Sequence, residues 1–181
     1  MRIIAGTARS RTIEAPKGRD TRPTLDRVRE NLFNILQMRI YDAQVLDLFA
    51  GSGALSLEAV SRGAAFAVMV DHDRAAQAVE KKNVESLHFE KQTRLMGCDW
   101  AQAVRQLTGE QAKFDLIFLD PPYAMHDLTA VTEAIKPLMT EDALIITEHQ
   151  ADQTYVVADG LVQTDSRRYG YVGITIYRLE E

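Results

Sequence analysis

From Gln44 onward the chain alternates short apolar runs with stretches of helical period. The apolar runs are Gln44–Leu48, Ala67–Val70, Thr93–Met96, Phe114–Leu119 and Ala143–Thr147. Between them, Ala54–Arg62, Asp73–Leu87, Ala101–Leu107 and Leu128–Leu138 read as helices. Continuous apolar strands separated by helices predict a parallel sheet covered on both faces. After Glu148 the helical pattern stops. Two further strands, Leu161–Ser166 and Tyr171–Tyr177, are joined through Arg167-Arg168-Tyr169-Gly170 and predict a hairpin on the sheet edge. Ahead of the regular part, Ile3–Ala5 and Thr12–Glu14 read as two short strands, with Arg9 and Arg11 in the polar turn between them. Pro23-Thr24 opens a helix, with Thr24 or its neighbour as N-cap. Leu25, Val28, Leu32, Ile35 and Leu36 form its apolar stripe, and Asp26, Arg27, Arg29 and Glu30 its polar side. The expected fold is α/β: a doubly wound, mainly parallel seven-stranded sheet of Rossmann-like kind. It carries an antiparallel C-terminal edge hairpin and an N-terminal β-hairpin plus helix.

The length of 181 residues suits one domain. Within it the pattern separates a hairpin arm (1–22), a helix (23–40) and a core (41–181). With 46% hydrophobic and 26% charged residues, the composition is that of an ordinary globule, not a disordered or fibrous chain. The net charge of −5 argues against a uniformly basic nucleic-acid binder. That sum hides a split. Residues 1–30 carry eight basic and four acidic side chains, and the remainder 13 basic and 22 acidic. A basic arm before an acidic body suits either a solvated face or contact with a polyanion. The single cysteine, Cys98, permits no internal disulfide. With no leader-like opening and no long apolar run, a soluble cytoplasmic protein without a membrane partner is expected. The four histidines are scattered, so no metal site is expected.

In a doubly wound sheet, ligands bind beyond the carboxyl ends of the strands. The first strand ends in Asp47-Leu48-Phe49-Ala50-Gly51-Ser52-Gly53. Glycines there let a ligand approach the backbone, or merely make a tight turn. A dinucleotide fingerprint would need a third glycine where Ser56 stands, which disfavours a Rossmann oxidoreductase. Asp47 suits a ligand ammonium group. The second strand ends in Asp71-His72-Asp73. Asp71 is placed to accept two ribose hydroxyls or to cap a helix, and Asp73 reads as an N-cap. The third ends in Cys98-Asp99-Trp100. Asp99 suits an adenine amino group, an N-cap or both, with the Cys98 N–H on a ring nitrogen. No activating base accompanies the Cys98 thiol, so it is not a nucleophile. The fourth ends in Asp120-Pro121-Pro122-Tyr123, the most specific signal in the chain. Two prolines remove two donors and stiffen the loop, leaving Asp120 and the Pro121 carbonyl as fixed acceptors. Tyr123 adds a flat face. Two acceptors and a ring suit an extruded base with an exocyclic amine.

These residues resemble the class I S-adenosylmethionine-dependent methyltransferases that methylate amines. Asp47–Gly53 is similar to their Asp-x-Phe-x-Gly-x-Gly motif, and Asp120–Tyr123 to their Asp-Pro-Pro-Tyr motif. Arg2-Ile3-Ile4-Ala5-Gly6, Arg22-Pro23-Thr24, Asp26–Asn34 and Arg168-Tyr169-Gly170 further resemble the RsmD family. Its members are bacterial 16S rRNA guanine-N2 methyltransferases acting at guanine 966. Trp100 departs from the small residue expected after Asp99. The resemblance implies S-adenosylmethionine as methyl donor, S-adenosylhomocysteine as product, and 16S rRNA or the small ribosomal subunit as partner, with a monomeric enzyme. It implies that Asp47, Phe49, Gly51, Gly53, Asp71, His72, Cys98, Asp99 and Asp120 hold the cofactor. Asp120, Pro121, Pro122 and Tyr123 hold the target base. Arg9, Arg11, Arg19, Arg22, Thr24, Arg27 and Arg29 meet the RNA, with Asn31 also closing the site. The rival readings are an adenine-N6 methyltransferase of DNA or RNA, and a non-catalytic RNA-binding assembly module.

Overall fold

The computed structural model describes residues 1–16, 23–122 and 124–180, with the side chains of 23–25 outside the description. Seven strands form one sheet: β1 (Gln44–Asp47), β2 (Phe66–Val70), β3 (Thr93–Met96), β4 (Phe114–Leu119), β5 (Met139–Gln150), β6 (Leu161–Tyr169) and β7 (Val172–Leu179). Their order is β3-β2-β1-β4-β5-β7-β6. The first five pair in parallel, and β7 pairs antiparallel with both β5 and β6. The helices are α1 (Pro23–Ile40), α2 (Ala54–Ser61), α3 (Arg74–Leu87), α4 (Trp100–Gly109) and α5 (Thr129–Ile135).

Alternate residues of the buried strands feed two cores, as a sheet with two covered faces requires. Val45, Leu116, Phe118, Ile146 and Ile174 face the arm and α1–α3 side. Leu46, Ile117, Leu119 and Ile145 face the α4–α5 side. The chain runs outward from β1 to β3, then restarts at β4 on the other flank of β1. The strand order therefore reverses between β1 and β4, and the crevice of a doubly wound fold opens there.

Several boundaries shift from the pattern-based reading. Helix α1 begins at Pro23, so Thr24 lies inside its first turn and not at its cap. Its buried stripe holds Val28, Leu32, Phe33 and Leu36, while Ile35 is 37% exposed. Phe33 is drawn inward by the Phe118 ring, 6.0 Å away, and carries the Arg62 guanidinium 5.0 Å above it. Arg29 also leaves the polar side: it is 5% exposed and paired with Asp26 at 3.1 Å. Strand β5 extends at both ends of Ala143–Thr147: Phe114 of β4 pairs with Met139 at its start, and β7 supplies a partner as far as Gln150 at its end. Arg167 and Arg168 belong to the ladder with β7, and the link shrinks to a turn at Gly170.

The arm is a hairpin with a single bridge, Arg2 to Thr12, in place of two full strands. It is held mainly from outside. The buried Glu58 carboxylate of α2 accepts the Ile4 and Ala5 N–H groups at 2.8 and 3.0 Å, and Arg62 Nε at 2.7 Å. Gly6 lies at φ +82°, where a Cβ would stand 1.7 Å from the Ser61 carbonyl oxygen. Only glycine lets the arm press this closely on the end of α2. No helix among the described residues is long and apolar enough to cross a membrane.

Candidate functional site

Asp47 ends β1 and pairs with Phe118, so Asp120 lies two residues beyond that pair on the neighbouring strand. Two cavities meet at this tip. The larger, about 480 Å³, runs past Phe49, Gly51, Asp71, Cys98, Asp99 and Pro122. The smaller, about 120 Å³, lies under α1 and the arm against Met1, Arg29, Asp47, Ser52, Asp120 and Glu148. Pro16, Phe49 and Asp120 line both.

The turn after β1 is built for close approach. Gly53 lies at φ +76°, and a Cβ there would stand 2.1 Å from Met69 Cε. The Gly51 N–H donates to Asp71 Oδ2 at 2.9 Å, and the Asp73 N–H donates to Oδ1 at 2.9 Å. Asp71 therefore braces two turns while still lining the cleft. Asp73 caps α3 through the Ala75 N–H, as expected. Asp99 caps α4 through the Gln102 N–H at 2.9 Å and also lines the cleft. His72 is exposed at the rim beside Asp71. Trp100 contributes to the wall. The Cys98 N–H corrects one expectation: it donates to the Met96 carbonyl at 3.0 Å, so it does not point at a ring nitrogen. Burial, with Asp99 adding to it, raises the Cys98 thiol above its ordinary pKa, as suits an unreactive wall residue.

Asp47 is strongly perturbed. It is 1% exposed, its Oδ2 accepts the Ser56 hydroxyl at 3.1 Å, and its Oδ1 has no partner among the described residues. Burial pushes its pKa up to about 7, with Asp120 and Asp71 adding to the rise and the Ser56 hydrogen bond opposing it. A buried acceptor with a vacant oxygen calls for a cationic donor. The ammonium end of an amino-acid-bearing ligand meets that need. The glycine turn and the carboxylates of Asp71 and Asp99 extend the fit along the cleft. The donor set therefore fits S-adenosylmethionine.

The base-facing residues divide. Asp120 and Pro122 are at the cleft, Pro121 is buried behind them, and Tyr123 lies outside the described residues. Of the arginines, Arg19 and Arg22 lie outside the described residues, as does the Thr24 side chain. Arg27 is exposed in the second turn of α1, at the strand-tip end, and Asn31 is half-buried one turn below. Arg29 lines the small cavity from a buried position, so it is not a surface phosphate contact. Its cost of burial is offset by Asp26 and, at 3.8 Å, by Glu58. Arg9 and Arg11 are exposed but are not brought to the cleft. Their turn packs on the last residues of α2 and α3, through Thr7 N–H to the Ser61 carbonyl and Arg11 to the Ser86 carbonyl. Those helix ends lie at the opposite edge of the sheet from Asp120. Sequence reasoning missed Glu148, Glu80 and the whole small cavity. Glu148 follows Thr147, the last residue of β5 that pairs with β4, and so stands level with Asp120 although β5 itself continues to Gln150. Glu80, 1% exposed on α3, has neither oxygen partnered among the described residues, and burial raises its pKa to about 8. Among the described residues no cluster of metal-ligating side chains occurs.

Comparison with known proteins agrees with this geometry. The family described as conserved hypothetical protein 95 matches residues 1–178. A putative rRNA methyltransferase, YlbH of Bacillus subtilis, is 36% identical, with 98% of each chain covered. Ribosomal RNA small subunit methyltransferase D of Escherichia coli is 38% identical over 84% of this chain and 76% of its own. The solved structure of a putative methyltransferase, yhhF of Escherichia coli, superposes with a TM-score of 0.84 at 35% identity. It covers 99% of this chain and 98% of its own.

Proposed function

This chain belongs to the RsmD family of ribosomal RNA small subunit methyltransferases, and from that premise we propose that it methylates the exocyclic N2 amine of a guanine in 16S rRNA, at the guanine-966 position. The observation that carries the reading is the placement of Asp120, where the two cavities meet at the reversal of strand order.

S-adenosylmethionine, when bound, supplies a methyl group activated by sulfonium. The remaining work belongs to the chain. Asp47 receives the ammonium end of the cofactor, Asp71 its ribose and Asp99 its adenine. A guanine N2 lone pair is delocalised into the ring, so the amine is a poor nucleophile until it is oriented. Asp120 and the Pro121 carbonyl accept its two hydrogens and turn the lone pair toward the methyl group. Such positioning lowers a barrier by several kcal/mol. Asp120 accepts a proton only after the nitrogen has become cationic. Tyr123 is assigned to stack on the base, a contact worth about 1–3 kcal/mol. Among the described arginines assigned to the RNA, Arg27 is the one placed to hold a phosphate beside the cleft.

The test is transfer from labelled S-adenosylmethionine to unmethylated small subunits and to naked 16S rRNA, with mapping of the modified nucleotide. N2-methylguanosine at one site supports the reading. N6-methyladenosine, or no transfer to either substrate, overturns it.

A further inference from the structure

We propose that Glu148 selects guanine over other amino-bearing purines by accepting the N1–H of the target base. The proposal rests on the guanine-N2 reading above and names the residue that makes it specific. Leu119 of β4 pairs with Thr147 of β5, so Asp120, just past the end of β4, stands beside Glu148, which β5 carries on toward Gln150. Neighbouring strands lie about 4.8 Å apart. Both side chains line the small cavity. Glu148 extends to the same face as Leu144 and Ile146, the face covered by α1. There it meets the field of Arg29, whose guanidinium lines the same cavity. Arg29 is 5% exposed, and its Nε has no hydrogen-bond partner among the described residues. A buried cation beside Glu148 favours a charged acceptor at that position.

Guanine presents two neighbouring kinds of donor, the N2 amine and the ring N1–H. A flipped base is read by hydrogen bonds along this edge. With Asp120 and the Pro121 carbonyl on the amine, the next acceptor along the sheet rim is Glu148. A purine whose N1 bears a lone pair would set that lone pair against the carboxylate. The half-buried carboxylate would then face a lone pair in place of a donor, and such a mismatch is how a polar site rejects an analogue.

The decisive substrate is 2-aminopurine, which keeps the exocyclic amine at C2 and lacks the N1–H. Small subunits reconstituted with 16S rRNA carrying guanosine or 2-aminopurine riboside at the target are methylated by the full-length protein, Glu148→Gln and Glu148→Ala. The readout is the ratio of kcat/KM for the two bases. The wild-type protein is expected to favour guanosine by about 10- to 100-fold, the worth of one charge-assisted hydrogen bond. Glu148→Ala brings the ratio close to one, and Glu148→Gln, which keeps a carbonyl acceptor, falls between. Affinity for S-adenosylhomocysteine is measured on each variant alongside, so that the ratio is read only on folded protein, with Glu148→Gln as the milder change. An unchanged ratio in both variants, or no preference in the wild type, overturns the proposal. If the wild type places no methyl group on the N2 of guanosine, the underlying reading fails and the assignment falls with it.

Discussion

The side-chain amide of Asn83 pairs with the backbone of Glu14 as a neighbouring strand would. The Glu14 N–H donates to Asn83 Oδ1 at 2.8 Å, and Asn83 Nδ2 donates to the Glu14 carbonyl at 3.0 Å. The same amide reaches the Ser52 carbonyl at 2.9 Å. One buried side chain on α3 thus ties the arm to the glycine turn beside Asp47. Asn83→Ala leaves three backbone groups without these partners and is expected to cost about 2–4 kcal/mol, read from urea denaturation. Limited proteolysis should cut first in the arm.

Asp120→Ala is expected to lower methyl transfer by about a thousandfold or more, since orientation and acceptance of the amine are both lost. Affinity for S-adenosylhomocysteine should change far less, because Asp47, Asp71 and Asp99 remain. Calorimetric binding beside single-turnover rates separates the two effects. Parallel losses of binding and rate would remove Asp120 from the base-holding role.

Cofactor binding should depend on pH through Asp47. Its carboxyl titrates near pH 7 and accepts an ammonium group only when ionised. Affinity for S-adenosylhomocysteine should rise by up to about tenfold per pH unit from pH 5.5 toward 7, then level off. Asp47→Asn should bind weakly throughout and lose the slope.

Glu80 keeps its proton in the folded chain up to about pH 8, against an ordinary value of 4.5. The unfolded chain releases that proton from about pH 4.5 upward. Stability therefore falls as pH rises through this window and is constant above it. Glu80→Met removes both the penalty and two unpartnered oxygens. It should stabilise the protein by about 2–4 kcal/mol at pH 8 and by much less at pH 4.5, measured by denaturant titration at each pH.

Arg27 and the Arg9/Arg11 pair stand at opposite ends of the sheet. Replacing Arg27 by Gln should weaken RNA binding and lower the slope of log K against log salt by about 0.7–0.9 for one phosphate contact. Replacing Arg9 and Arg11 together should flatten the slope further only where the RNA continues down the face of α2, a path of about 12 Å at 1.5 Å per residue. Full-length small subunits and a short hairpin carrying the target therefore separate the two contributions.

What the sequence made legible was whatever local pattern controls. Apolar runs located five parallel strands, and glycines and prolines located the turns that bear the site. The position of Asp47, Asp71, Asp99 and Asp120 at strand tips followed from that. What stayed hidden depended on partners distant in the chain. Nothing in the neighbourhood of Arg29 announces a counter-charge at Glu58, 29 residues on, so it read as a surface cation. Arg9 and Arg11 read as RNA contacts because they belong to a basic arm, and the charge count says nothing of where that arm lies. The carboxylate of Glu58 instead fixes the arm along α2, carrying their turn to the far edge. The Cys98 N–H was lost to a carbonyl only two residues back, a turn that composition does not reveal.

The strand order has a consequence for how the protein is made. β7 lies between β5 and β6, although it is synthesised after both. Until residues 172–179 have left the ribosome, β6 has no partner and the rim beside Glu148 lacks its buttress. A nascent chain can lay down the parallel half of the sheet as it emerges, but the edge beside Glu148 closes only once β7 has followed β6 and slipped between it and β5.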